Sequence, residues 1–115
     1  YEEALGLLQK ARVILEMFHK SDEPPILLNQ LSTGSTLYLS GKSSQAQTTF
    51  KSTFAKIAEG TIDAADLASS RYYYGLASLD NNLFAEAEEN FVWLKKYYEE
   101  SGETASIDYQ EVVFN

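Results

Sequence analysis

Apolar residues recur along this chain at steps of three and four, the spacing that gathers them on one face of an α-helix. In residues 1–20 the stripe is Leu5, Leu8, Ala11, Leu15 and Phe18, with Glu2, Glu3, Gln9, Lys10 and Glu16 on the opposite face. Ser21-Asp22-Glu23 then offers cap-type residues before Pro24-Pro25, and proline is tolerated in a first turn because that turn's amides are unpaired. The spacing predicts a second helix from there to about Ser40, ended by Gly41-Lys42-Ser43. A third follows, with Ala46, Phe50, Phe54 and Ile57 in register until Glu59-Gly60. Thr61 or Asp63 can cap a fourth helix carrying Leu67, Tyr74, Leu76 and Leu79 up to Asp80-Asn81-Asn82. A fifth carries Ala87, Phe91, Leu94 and Tyr98 up to Ser101-Gly102, and a sixth is expected near Ser106. Serine, threonine and β-branched residues crowd the second and third helices, so packing must supply most of their stability.

The helices repeat. Tyr1-Glu2-Glu3-Ala4 followed by Leu8 parallels Ser43-Ser44-Gln45-Ala46 followed by Phe50, and Phe84-Ala85-Glu86-Ala87 followed by Phe91. Each pairs a small residue with a large apolar one at helical spacing. Upstream of the last two lie Gly34 and Gly41, then Gly75 and Asn82, each pair seven residues apart. A small residue on one helix lets the next approach closely.

This arrangement resembles the tetratricopeptide repeat, in which a small residue late in helix A, a glycine or asparagine at the turn, and an aromatic opening helix B precede an alanine and a large apolar residue. Gly75, Asn82, Phe84, Ala87, Phe91 and Leu94 follow that order and spacing; Gly34, Leu37, Gly41, Ala46 and Phe50 follow it in a preceding copy, and Tyr1, Ala4, Leu8 and Ala11 match helix B of one earlier still. Two features depart from the family. Successive copies stand 42 and 41 residues apart, from Tyr1 to Ser43 and from Ser43 to Phe84, against a usual period of about 34. Gln30 and Arg71 also occupy the position where an aromatic is favoured.

The resemblance implies an all-α fold of antiparallel helix pairs stacked as a right-handed α-solenoid. Residues 1–20 would be helix B of a truncated repeat, 24–59 and 63–101 two further repeats, and 105–115 the start of another helix. Residue 1 is a tyrosine already inside a helical pattern, which reads as an excerpt of something longer. One helix pair cannot bury its apolar face alone, so copies stack and generate an extended concave surface suited to protein segments. Carried over from the family, the groove positions are Leu28, Leu31, Ser35 and Tyr38 from one copy and Tyr72, Leu76 and Leu79 from the next. Ala4, Leu8, Gly34, Ala46, Phe50, Gly75, Ala87 and Phe91 would pack the repeats. The expected function is a protein-protein interaction scaffold that holds a partner protein or peptide in an apolar and aromatic groove, without the basic side chains that clamp a peptide carboxylate in some family members. A peptide-sensing domain of a larger regulator, for example a transcriptional one, is the alternative, and a helical brace for a neighbouring enzyme domain a third. Self-association through exposed repeat ends is also open.

Composition removes other classes. The chain has 115 residues, enough for one packed domain. Seventeen acidic residues against nine basic ones give a net charge of -8, which repels phosphate backbones and anionic membrane surfaces; nucleic acid is not an expected partner. The longest apolar runs, such as Val13-Ile14-Leu15, fall far short of the roughly 20 residues that span a bilayer. With no cysteine there can be neither disulfide nor thiolate metal site, and a cytoplasmic setting is permitted.

No residue set reads as catalytic, and neither cofactor nor metal is expected. Gly41-Lys42-Ser43 looks like the end of a phosphate-binding loop, but Thr36 stands where that loop needs a further glycine, and the preceding residues read as helix. The single histidine, His19, is expected to meet free carbonyls at a helix end. Glu86, Glu88 and Glu89, with Glu99, Glu100 and Glu103, lack the alternation of a calcium loop and read as a solvated helix face. Arg71-Tyr72-Tyr73-Tyr74, Trp93 and Tyr97-Tyr98 divide between core and partner contact, because consecutive tyrosines point around a helix.

Overall fold

A computed structural model describes residues 1–101. Among the described residues it holds five helices and no strand: α1 (Glu2–Glu16), α2 (Pro24–Leu39), α3 (Ser43–Phe54), α4 (Ala64–Asp80) and α5 (Phe84–Ser101). The helix expected near Ser106, and with it the 105–115 unit, lies outside them.

Local chemistry sets most boundaries. Glu23, preceding a proline, is extended (φ -80, ψ 147), and Pro24-Pro25 open α2. The Lys42 amide donates to Leu37 O (2.9 Å) and the Gly41 amide to Tyr38 O (3.0 Å), a Schellman ending that needs the left-handed conformation Gly41 adopts (φ 86). The end of α4 repeats it. The Leu83 amide donates to Ser78 O (2.8 Å), the Asn82 amide to Leu79 O (3.0 Å), and Asn82 sits at φ 60.

Two helices stop earlier than the spacing predicts. α1 ends at Glu16, and the chain tightens through Phe18 N to Leu15 O before turning. His19 therefore caps no carbonyl: its Nδ1 lies 2.9 Å from Glu23 Oε2, while Glu23 Oε1 accepts from the Lys20 amide (3.1 Å). These contacts, the His19 bond foremost, hold the Glu23 carboxyl below its usual pKa. α3 ends at Phe54. Its Thr48, Ser52 and Thr53 hydroxyls all donate to carbonyls within the helix, competition that weakens a segment already poor in strong helix formers.

Gly34 and Phe50 lie symmetrically about the first Schellman turn, so α2 and α3 run antiparallel; α4 and α5 pair likewise around the second. A Cβ on Gly34 would stand 2.8 Å from Phe50 Cε1, and one on Gly75 would stand 2.7 Å from Phe91 Cε1. The two hairpins thus close by the same contact, a ring laid on bare helix backbone. Consecutive helices touch throughout, and α2 also meets α4. One core gathers Leu31, Leu37, Ala46, Phe50, Tyr74 and Ala77; a second gathers Ala68, Leu94 and Tyr98. The Tyr74 ring stacks on both Phe50 and Phe54, each at 5.5 Å, and those two rings also touch at 6.5 Å. Its hydroxyl reaches Glu86 Oε2 (3.4 Å), and burial, reinforced by that carboxylate, pushes its pKa up to about 12.

α1 differs from its counterparts. It has no buried residue, and Leu7, Val13, Ile14, Met17 and Phe18 are exposed. Phe18, expected on the inward stripe, is 77% exposed because it lies past the helix end. Ala4 is exposed and Leu8 half-buried, whereas Ala46 and Phe50 at the matching positions of α3 are fully enclosed.

Candidate functional site

The paired helices α2 and α4 present a shared face. Their groove, of about 330 Å³, is lined by Leu28, Leu31, Ser32, Ser35 and Thr36 from α2 and by Ala65, Asp66, Ser69 and Ser70 from α4. Three of the seven groove positions carried over from the family come together here: Leu28, Leu31 and Ser35. They do not act alike. Leu28 is exposed, but Leu31 is 3% exposed and forms groove floor and core at once. The remaining lining is small and polar, so the surface is a shallow hydroxyl-bearing trough with one apolar projection, not the apolar and aromatic channel expected. Ser32, Thr36, Asp66 and Ser69 went unmarked in the sequence although helical steps of three and four from Leu28 reach the first two.

The aromatic positions lie elsewhere. Tyr72 lines a second hollow of about 330 Å³ with Ala65, Ala68, Ser69, Tyr73, Tyr97 and Tyr98, between α4 and α5. Ala65 and Ser69 belong to both hollows, so the trough continues into the tyrosine-lined one. The Tyr38 ring meets Tyr73 at a tilt (5.8 Å between centres), and burial, ahead of the nearby Asp80 carboxylate, raises its pKa. Leu76 and Leu79 are half-buried farther along α4.

Where α1 meets α2 and where α3 meets α4 and α5, Gln30 and Arg71 carry polar contacts. Thr53 has one hydroxyl proton and gives it to Thr49 O (2.7 Å), so Gln30 must offer Thr53 its amide nitrogen (3.1 Å). The Gln30 oxygen then accepts from Arg12 Nη2 at 2.9 Å, joining α1, α2 and α3. In α4 the Arg71 guanidinium lies over the Phe54 ring (4.7 Å) and the Trp93 ring (5.0 Å), its Nη1 donating to Asn90 Oδ1 (2.9 Å). Each of these contacts holds a half-buried guanidinium, Arg12 from α1 in one and Arg71 from α4 in the other. Asn29 adds a bond from Nδ2 to Leu8 O (3.1 Å), tying α2 to α1.

The acidic residues of α5 are partly absorbed by the fold. Glu86 accepts from Gln47 Nε2 (2.6 Å) and pairs with Lys51 (3.4 Å), bridging α5 to α3. Among the described residues no group of three or more His, Asp or Glu side chains could hold a metal ion, and no helix is long and apolar enough to cross a membrane.

In comparisons with known proteins, no family model matches this chain, and neither a curated protein nor a solved structure matches it.

Proposed function

We propose that this chain is a tetratricopeptide-like helical-repeat segment, stacked as a right-handed solenoid, that acts without catalysis by holding an extended segment of a partner protein along the α2/α4 face. The observation that carries the reading is the duplicated glycine-phenylalanine contact, 2.8 Å at Gly34–Phe50 and 2.7 Å at Gly75–Phe91, each beside a Schellman turn built on the same bonds. Two hairpins closed alike, with α2 meeting α4 across the hairpin boundary, support a repeat that builds a continuous face from its A-type helices. Along that face serine and threonine hydroxyls can pair with a partner's backbone, Leu28 supplies an apolar contact, and Tyr72 and Tyr97 offer broad rings at one end.

The test is selection of peptides from a random displayed library on the 115-residue chain, followed by binding to a Ser35→Arg/Ser69→Arg variant. Both positions line the trough and neither is fully buried, so the fold is expected to persist. Selected peptides should lose at least about tenfold in affinity, the effect of about 1.4 kcal/mol. Peptides that bind the variant unchanged would place recognition away from this face.

A further inference from the structure

On the side of α4 away from the trough, a cleft of about 640 Å³ opens between the end of α3, the loop before α4 and α5, within the range of small-ligand sites. Its walls mix apolar side chains, among them Phe54, Ile57, Ile62, Leu67 and Trp93, with polar surface, and Arg71 is its one basic lining residue. Glu59 and Asp63 stand at the exposed loop end.

We propose that this cleft is a binding site for a carboxylate carried on an apolar group, with Arg71 as its anchor. The Arg71 guanidinium is held between two rings, uses Nη1 on the neutral Asn90 amide, and leaves Nε buried with no hydrogen-bond partner. No carboxylate among the described residues lies within ion-pair distance of it. The molecule itself shows the contrast: Arg12, at the preceding interface, pairs with Glu16 Oε1 at 3.1 Å as well as bonding Gln30. A half-buried cation with no carboxylate at ion-pair distance is electrostatically incomplete, and burial depresses the Arg71 pKa, the Glu89 charge only partly opposing it. A carboxylate completes the guanidinium in the geometry arginine prefers, through the edge that Asn90 does not use. The apolar walls take the group that carries it, and the two rim acids disfavour a dianion such as phosphate. Nε is closed to water here, so engaging it requires the groups packed on the guanidinium to shift, and Trp93, whose ring centre lies 5.0 Å from the guanidinium carbon, is placed to register the ligand. This site shares no lining residue with the α2/α4 trough and stands whether or not that trough binds a partner.

Trp93 is the chain's sole tryptophan, so intrinsic fluorescence reports on the cleft directly. N-acetyl-leucine titrated into the 115-residue chain should produce a saturable change. N-acetyl-leucinamide and inorganic phosphate should bind about tenfold more weakly or worse, since a hydrogen bond to a charged group is worth about 1.5–3 kcal/mol. Arg71→Gln should lose the acid's advantage over the amide while retaining the helical circular dichroism signal, and Glu59→Gln should tighten the acid. Should Arg71→Gln fail to fold, the acid-amide comparison and Glu59→Gln decide alone. Acid and amide binding equally, no saturable change, or full binding by a folded Arg71→Gln would each overturn the proposal.

Discussion

Glycine inside a helix costs about 1 kcal/mol relative to alanine, so Gly34 and Gly75 must be retained against intrinsic propensity. The compensation is the aromatic ring that each admits. At Gly34 the ring belongs to Phe50, which is fully buried, so an added methyl has nowhere to send it. At Gly75 the ring belongs to Phe91 of α5, which is half-buried and so has more room to shift than Phe50. Gly34→Ala is therefore expected to destabilise by about 1–2 kcal/mol, the overpacking cost less the propensity gain, and Gly75→Ala to be nearly neutral. Urea unfolding of the two variants checks the order, and adding Phe50→Leu should recover most of the Gly34→Ala loss. Were Gly75→Ala the more damaging, ring mobility would not be the deciding factor.

At the scale of the helix, the two hairpin turns use one hydrogen-bond scheme with different residues at the left-handed position. Glycine enters that conformation freely, asparagine with a modest penalty, and other residues at about 1–2 kcal/mol. Gly41→Ala should accordingly lower stability by about 1–2 kcal/mol, while Asn82→Gly should raise it by less than about 1 kcal/mol. Thermal melts of both variants measure this, and a destabilised Asn82→Gly would mean that its side chain has a role beyond φ. Turn chemistry of this kind was legible in the sequence because it is local: Gly41 and Asn82 mark where the chain must turn whatever packs nearby. The early ends of α1 and α3 were not. Periodicity continues through Phe18 and Ile57, and only the competing bonds of Glu23 and of the threonine hydroxyls stop the helices short. Gln30 and Arg71 read as misfits for the same reason, since their partners Arg12, Thr53 and Asn90 lie 18, 23 and 19 residues away.

Taken together, the described helices are unevenly buried from α1 to α5. α2 and α4 are covered on several sides, whereas among the described residues α1 has helix backbone against it only from α2. The result is a band of exposed apolar side chains on α1, with Leu7 at 61% and Ile14 at 57%. We expect the isolated chain to cover this band with a second copy of itself, so that its sedimentation coefficient rises with concentration. Leu7→Lys/Ile14→Lys should keep it monomeric with unchanged helicity, because neither side chain contributes to a core. A wild-type chain that stays monomeric into the millimolar range would show that the band needs no cover.

Legible from the chain alone were the five described helices, the turns at Gly41 and Asn82, and the recurrence of Gly34, Ala46 and Phe50 as Gly75, Ala87 and Phe91. All of these follow from spacings within about one hairpin, where chain connectivity already limits which residues can meet. Packing decided which apolar residues are enclosed, that Phe50 and Phe91 lie on Gly34 and Gly75, that Leu31 belongs to the core, that the α2/α4 trough is lined by hydroxyls, and that Arg71 meets two rings and Asn90 but no carboxylate at ion-pair distance among the described residues. Burial and ion pairing depend on which faces of neighbouring helices arrive beside a residue, and a stripe of three-and-four spacing fixes a helix's apolar side without naming what covers it.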